Sequence, residues 1–131
     1  MRRRLFLLAA LAALPSLARA SGGGGEKKTT GGTSYIPIRT LTGAVNKPGG
    51  RGVLSVECGL DVPDAGLRDR AEKSLPRLRA AYLQTVLSYA GGLPYRQVPN
   101  IEFLARTLQR QTDEMLGRTG ARVLLGSVMV N

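Results

Sequence analysis

Residues 52–62 read GVLSVECGLDV, and the alternation in that stretch decides the fold. Leu54, Val56, Cys58, Leu60 and Val62 fall on one side, and Ser55, Glu57, Gly59 and Asp61 on the other. Successive side chains of an extended backbone point to opposite faces, so a period of two predicts a strand with one face on a core. Just upstream, residues 35–45 (YIPIRTLTGAV) form a second extended segment, with Ile36, Ile38, Thr40 and Thr42 on one side. Pro37 has no amide hydrogen to give a ladder, which suits an edge strand or a strand start. Between the two segments, residues 46–51 (NKPGGR) are dense in turn formers. The reading is an antiparallel hairpin whose apolar side needs a cover.

Downstream the period changes from two to between three and four. Asp64 is placed to cap a helix opening near Ala65. Leu67, Ala71, Leu75, Leu78, Tyr82, Val86 and Tyr89 then make one apolar helical face. Pro76 interrupts it, and a mid-helix proline costs about 3 kcal/mol. The economical arrangement is a short helix, a bend near Ser74, and a second helix with Pro76 in its first turn. Ala80, Ala81, Leu83 and Leu87 widen the apolar face of that second part, which predicts deeper burial there. Residues 91–94 (GGLP) stop it. Asn100 caps a further helix with Ile101, Leu104, Leu108, Thr112 and Met115 inward and Gly117 as its stop. Residues 121–130 (ARVLLGSVMV) are apolar on both faces, which predicts a central or covered strand closing the domain. The fold class is therefore α+β. A small antiparallel sheet, hairpin plus C-terminal strand, is covered by a long kinked helix and a second helix in β-β-α-α-β order.

The first twenty residues, MRRRLFLLAALAALPSLARA, have a different character. Three arginines, a short apolar run and Ala18-Arg19-Ala20 follow the plan of a secretory signal peptide. The apolar stretch is shorter than the roughly 20 residues a spanning helix needs. Arg3-Arg4-Leu5-Phe6-Leu7 resembles a twin-arginine export signature, and ordinary secretion fits as well. Cleavage predicts a periplasmic protein, and retention an inner-membrane anchor. Residues 21–34 (SGGGGEKKTTGGTS) lack an apolar anchor and read as a flexible Gly-rich linker to one domain over 35–131. Loss of Arg2, Arg3, Arg4 and Arg19 lowers the formal charge from +10 to about +6. Much of the strong basicity thus belongs to the leader, which argues against a nucleic-acid partner. After cleavage Tyr35, Tyr82, Tyr89, Tyr95 and Phe103 are the aromatics left, and two of the tyrosines sit at core helical spacing.

The inventory speaks against catalysis. There is no histidine, the commonest general base and metal ligand. Cys58, the single cysteine, lies on the inward side of its strand, where a thiol is inert and no internal disulfide can form. Glu57 and Asp61 share the outer strand face, as solvated charges commonly do. No phosphate-loop spacing occurs. The expectation is a non-enzyme without catalytic residues, metal or cofactor. Its candidate interaction surface is two basic helix stripes: Arg70, Lys73 and Arg77 on the first, Arg106 and Arg110 on the second. Asp69, four residues before Lys73, favours a solvated face. The sharper alternative is contact with an acidic protein, anionic lipid headgroups or cell wall.

Several of these residues resemble the periplasmic domain of the FliL family of flagellar basal-body-associated proteins. They are the extended segment ending in Val45-Asn46, the Gly/Arg-rich turn after it, and the alternating strand running into a helix. Leu75-Pro76-Arg77-Leu78-Arg79 is similar to the family's Pro-containing turn of the long helix, and residues 117–131 to its terminal valine-rich strand. The resemblance covers about three quarters of the chain. It implies a stomatin-like fold and a non-enzymatic role beside the flagellar stator in motility, with self-association or a stator partner. Family members carry a spanning helix, whereas this chain begins with a short signal-like segment, as a divergent exported relative would.

Overall fold

The computed structural model of the protein describes residues 34–131. The expected signal peptide of residues 1–20, and residues 21–33 of the expected linker, lie outside the described residues. The elements run β1 (Tyr35–Lys47), β2 (Gly50–Asp61), α1 (Ala65–Lys73), α2 (Leu75–Gly92), α3 (Ile101–Leu116) and β3 (Arg122–Val130). The sheet is antiparallel in the order β1-β2-β3, and the helices pack on one face of it. This is the expected α+β architecture, with the kinked helix resolved as α1 and α2.

The alternating strand takes the middle of the sheet, as its pattern requires. Leu54, Val56, Leu60 and Val62 are completely buried, and Cys58 lies in the same row. Each partner strand departs from simple alternation once. Ile38 of β1 opposes Cys58, but the next inward pair is Leu41 with Val56, so β1 carries one extra residue. The bulge turns Leu41, Gly43 and Val45 inward and puts Thr40 and Thr42 outside, which corrects the face read from an unbroken alternation. β3 bulges too, between Leu125 opposite Cys58 and Val128 opposite Val56. It is an edge strand rather than a covered one: Val123 is buried, while Leu124 and Met129 face solvent. Its apolar outer residues stay open because the helices cover a single face.

Asp64 caps α1, its Oδ2 accepting from the Leu67 amide at 2.8 Å. The chain breaks at Ser74, whose amide reaches back to the Arg70 and Ala71 carbonyls, and α2 restarts with Pro76 in its first turn. There the missing amide hydrogen leaves no helical bond unmade. Asn100 caps α3 by accepting from the Phe103 amide at 3.0 Å, and Gly117 ends it in the left-handed conformation (φ 81°). Leu104, Leu108, Thr112 and Leu116 are the buried face of α3, while Ile101 is exposed and Met115 half-buried. Inside, Thr112 donates from Oγ1 to the Leu108 carbonyl at 2.7 Å. Its one hydrogen being spent there, the adjoining Tyr82 hydroxyl is the donor of the Tyr82–Thr112 bond. Two buried hydroxyls are thereby satisfied between α2 and α3.

α2 crosses β1 at very close range. A Cβ on Gly43 would lie 2.9 Å from the Ala90 Cβ and 3.1 Å from the Val86 carbonyl oxygen. α2 and β1 run in the same direction, because Gly43 meets residues 86–90 while Leu93, just past α2, meets Val45 and Lys47. We expect Gly43→Ala to cost about 1–3 kcal/mol in chemical denaturation. Ala90→Gly alone costs about 1 kcal/mol of helix propensity. The double variant should lose clearly less than the two single losses combined, and simple additivity would mean the contact is looser than described.

Candidate functional site

The five basic residues singled out from the sequence meet different fates. Arg70 donates from Nη1 to the Leu116 carbonyl at 2.7 Å, so it closes the C-terminal end of α3 against α1. Lys73 pairs with Asp69 at 3.1 Å, the i,i+4 contact expected of a solvated face. Arg77 is exposed in the first turn of α2, and Arg106 and Arg110 are exposed along α3. Structural work therefore occupies Arg70, and a surface ion pair occupies Lys73.

Reactive chemistry finds little support at Cys58. Burial in the core row pushes its thiol up to about 11 from 9.0. A protonated, enclosed sulfur is a poor nucleophile and metal ligand. Tyr82 is likewise pushed up to about 12 by burial, opposed in part by its bond to Thr112. Asp64 moves the other way, held below its usual range by the Leu67 amide and by Arg118, whose Nη2 lies 2.7 Å from Oδ2. Among the described residues, no group of three or more Cys, Asp or Glu is disposed to hold a metal.

A surface that sequence reading passed over is better formed. β1, the hairpin turn up to Arg51 at the start of β2, α2 and the loop to α3 carry Arg39, Lys47, Arg51, Arg77, Arg79 and Arg96 without one Asp or Glu. The rest of the described chain sets seven basic residues against eight acidic ones. The excess positive charge thus belongs to these elements, with Glu57 of β2 lying across from the Arg39–Thr40 bulge. It escaped notice because these residues are far apart in sequence and show no helical spacing; the signal was the missing carboxylates.

Two apolar features lie among these elements. The first is a cleft of about 400 Å³ where the loop after α2 faces the ends of β1 and β3. Val45, Leu93, Pro94, Val98 and Val130 line it, with Lys47 and Arg96 among them. Arg96 has φ 70°, uncommon for a residue with a side chain, and its guanidinium lies 5.5 Å from the Tyr95 ring centre. Val98 beside it is 81% exposed. The second feature is the flank of α2. Leu83 and Leu87, expected to be well buried, are 38% and 43% exposed. The reason is position. α2 lies over β1, an edge strand, and its side toward α3 is taken by Ala81, Gln84, Thr85, Ser88 and Tyr89. The opposite flank overhangs the sheet.

No protein-family model and no curated protein matches this chain.

The raised thiol and phenol give a pH dependence. Between about pH 9 and 11 the unfolded chain has released the Cys58 proton and the folded chain retains it. Stability therefore falls as pH rises through that window, and Tyr82 extends the fall toward pH 12. Urea midpoints from pH 7 to 11 should drop above pH 9, and Cys58→Ala should flatten the slope. An unchanged slope in that variant would place the alkaline sensitivity elsewhere.

Proposed function

We propose that this chain is an exported, non-enzymatic interaction domain of FliL-like type. It would assemble with itself or with the flagellar basal body and stator, and act in motility. The observation that carries this reading is where the shared residues stand in the fold. Val45-Asn46 closes β1, the Gly/Arg turn joins it to the alternating strand, Pro76 opens the long helix, and the valine-rich strand comes last. A sheet covered on one face only also leaves strand edges and an outer face for protein contacts. No helix among the described residues is long and apolar enough to cross a membrane.

Deletion in the native host, scored by swimming speed and soft-agar spreading, tests the proposal. A motility defect restored by the full chain is expected; wild-type swimming would remove the flagellar assignment.

The second reading is a periplasmic module that contacts anionic ligands, lipid headgroups or cell wall through its basic helix faces. The absence of any carboxylate on α2 favours it. It predicts cosedimentation with anionic vesicles or sacculi that fades between 50 and 500 mM salt and weakens on Arg77→Glu. Salt-independent binding, or none, counts against it.

A further inference from the structure

The two free edges of the sheet are not equivalent. At β3, the Val123 amide already donates to Gln109 Oε1 at 2.9 Å, and Gln109 Nε2 donates to the Ala121 carbonyl at 2.7 Å. α3 thus clasps the start of that edge. β1 is longer, thirteen residues, and among the described residues it is hydrogen-bonded along one side only, to β2. An open ladder of this kind is a template for one more strand.

What surrounds the β1 edge limits the occupant. On the helix side the overhanging Leu83 and Leu87 supply an apolar shelf: a Cβ on Gly43 would come within 3.3 Å of the Leu87 Cα. Arg79, one turn before Leu83 on the same flank, keeps its Nε buried with no hydrogen-bond partner among the described residues. Since α2 and β1 run in parallel, Arg79 lies toward the bulge at Arg39 and Thr40, and Lys47 stands at the far end of the strand. No carboxylate occurs on β1 or α2.

We propose that the outer edge of β1, with the Leu83–Leu87 flank of α2, docks an extended acidic segment of a partner protein as a fourth strand. Backbone pairing supplies the affinity, one row of partner side chains rests on the two leucines between Arg79 and Lys47, and the carboxylates of the opposite row meet Arg39 on the outer face. The inference rests on the interaction-domain reading above and adds the partner's chemistry. A second copy is a poor occupant, because it would set the same acid-free strand against itself. Residues 21–33 are no better: they hold one acid, Glu26, against Lys27 and Lys28, and no large apolar side chain.

The full chain is titrated with two blocked synthetic peptides, one alternating Val and Glu, the other Val and Lys. Amide hydrogen exchange and chemical shifts are followed by NMR. The Val/Glu peptide should slow exchange at β1 amides that do not face β2 and shift Leu83 and Leu87. Leu87→Glu or Arg39→Glu should weaken it at least tenfold, and Leu87→Met should not; thermal melts establish that each variant is folded. The proposal is overturned if both peptides bind alike, or if protection appears at β3 or the helices instead. It is equally overturned if the β1 edge is already protected in the free chain or in a concentration-dependent dimer, or if anionic vesicles protect it as the peptide does. The swimming assay is read separately. Docking without a motility defect refutes the flagellar assignment alone, and a defect without docking refutes this surface alone.

Discussion

The row formed by Leu54, Val56, Cys58, Leu60 and Val62 is the constraint on which the domain depends. Every one of these side chains points into the same core, and the strand that bears them is hydrogen-bonded on both sides. Full burial of one such aliphatic chain is worth about 1.5–3 kcal/mol, so the row outweighs any surface contact described above. With a single cysteine, the chain has no internal cross-link to share that burden. Its helices must therefore seat closely, and they do so at Gly43, where the lack of a side chain lets α2 press onto β1.

Close seating over an edge strand has a cost and a use. A helix centred on β1 cannot keep all its apolar residues covered, which is why Leu83 and Leu87 reach solvent. The bulge in β1 deepens the asymmetry, since it sends Leu41 and Val45 inward and leaves threonines on the outer face. On the other side of the sheet Gln109 fastens the start of β3 to α3. One edge is thus closed by a side chain and the other left with a greasy, positively charged border.

Much of this architecture was legible in the sequence because it rests on local rules. The alternation of β2, the capping residues Asp64 and Asn100, and the break forced by Pro76 each act within a few residues. Features that depend on distant neighbours were not legible. A bulge adds one residue and reverses the inward face, so Thr40 and Thr42 looked equivalent to Ile36 and Ile38. The apolar character of β3 suggested cover on both faces, yet cover depends on how many helices the chain has to spend. The candidate surface behaved similarly. Helical spacing collected Arg70, Lys73 and Arg77 into a stripe, although Arg70 has a carbonyl of α3 to satisfy. The acid-free elements β1, α2 and the loop after it are far apart in sequence and come together only after folding.

Ser34 gives the domain a direction. Its carbonyl accepts from the Val62 amide at 2.8 Å and its hydroxyl donates to Asp61 at 2.7 Å, so the point where the preceding chain enters is riveted to one pole. From there β1 runs about 40 Å to its far end at Lys47, beside the Tyr95–Arg96 loop. A pull on the residues before it is met first by these two bonds and then by the β1–β2 ladder. When that pull is directed along the strand, it loads the ladder bonds in shear together instead of unzipping them singly.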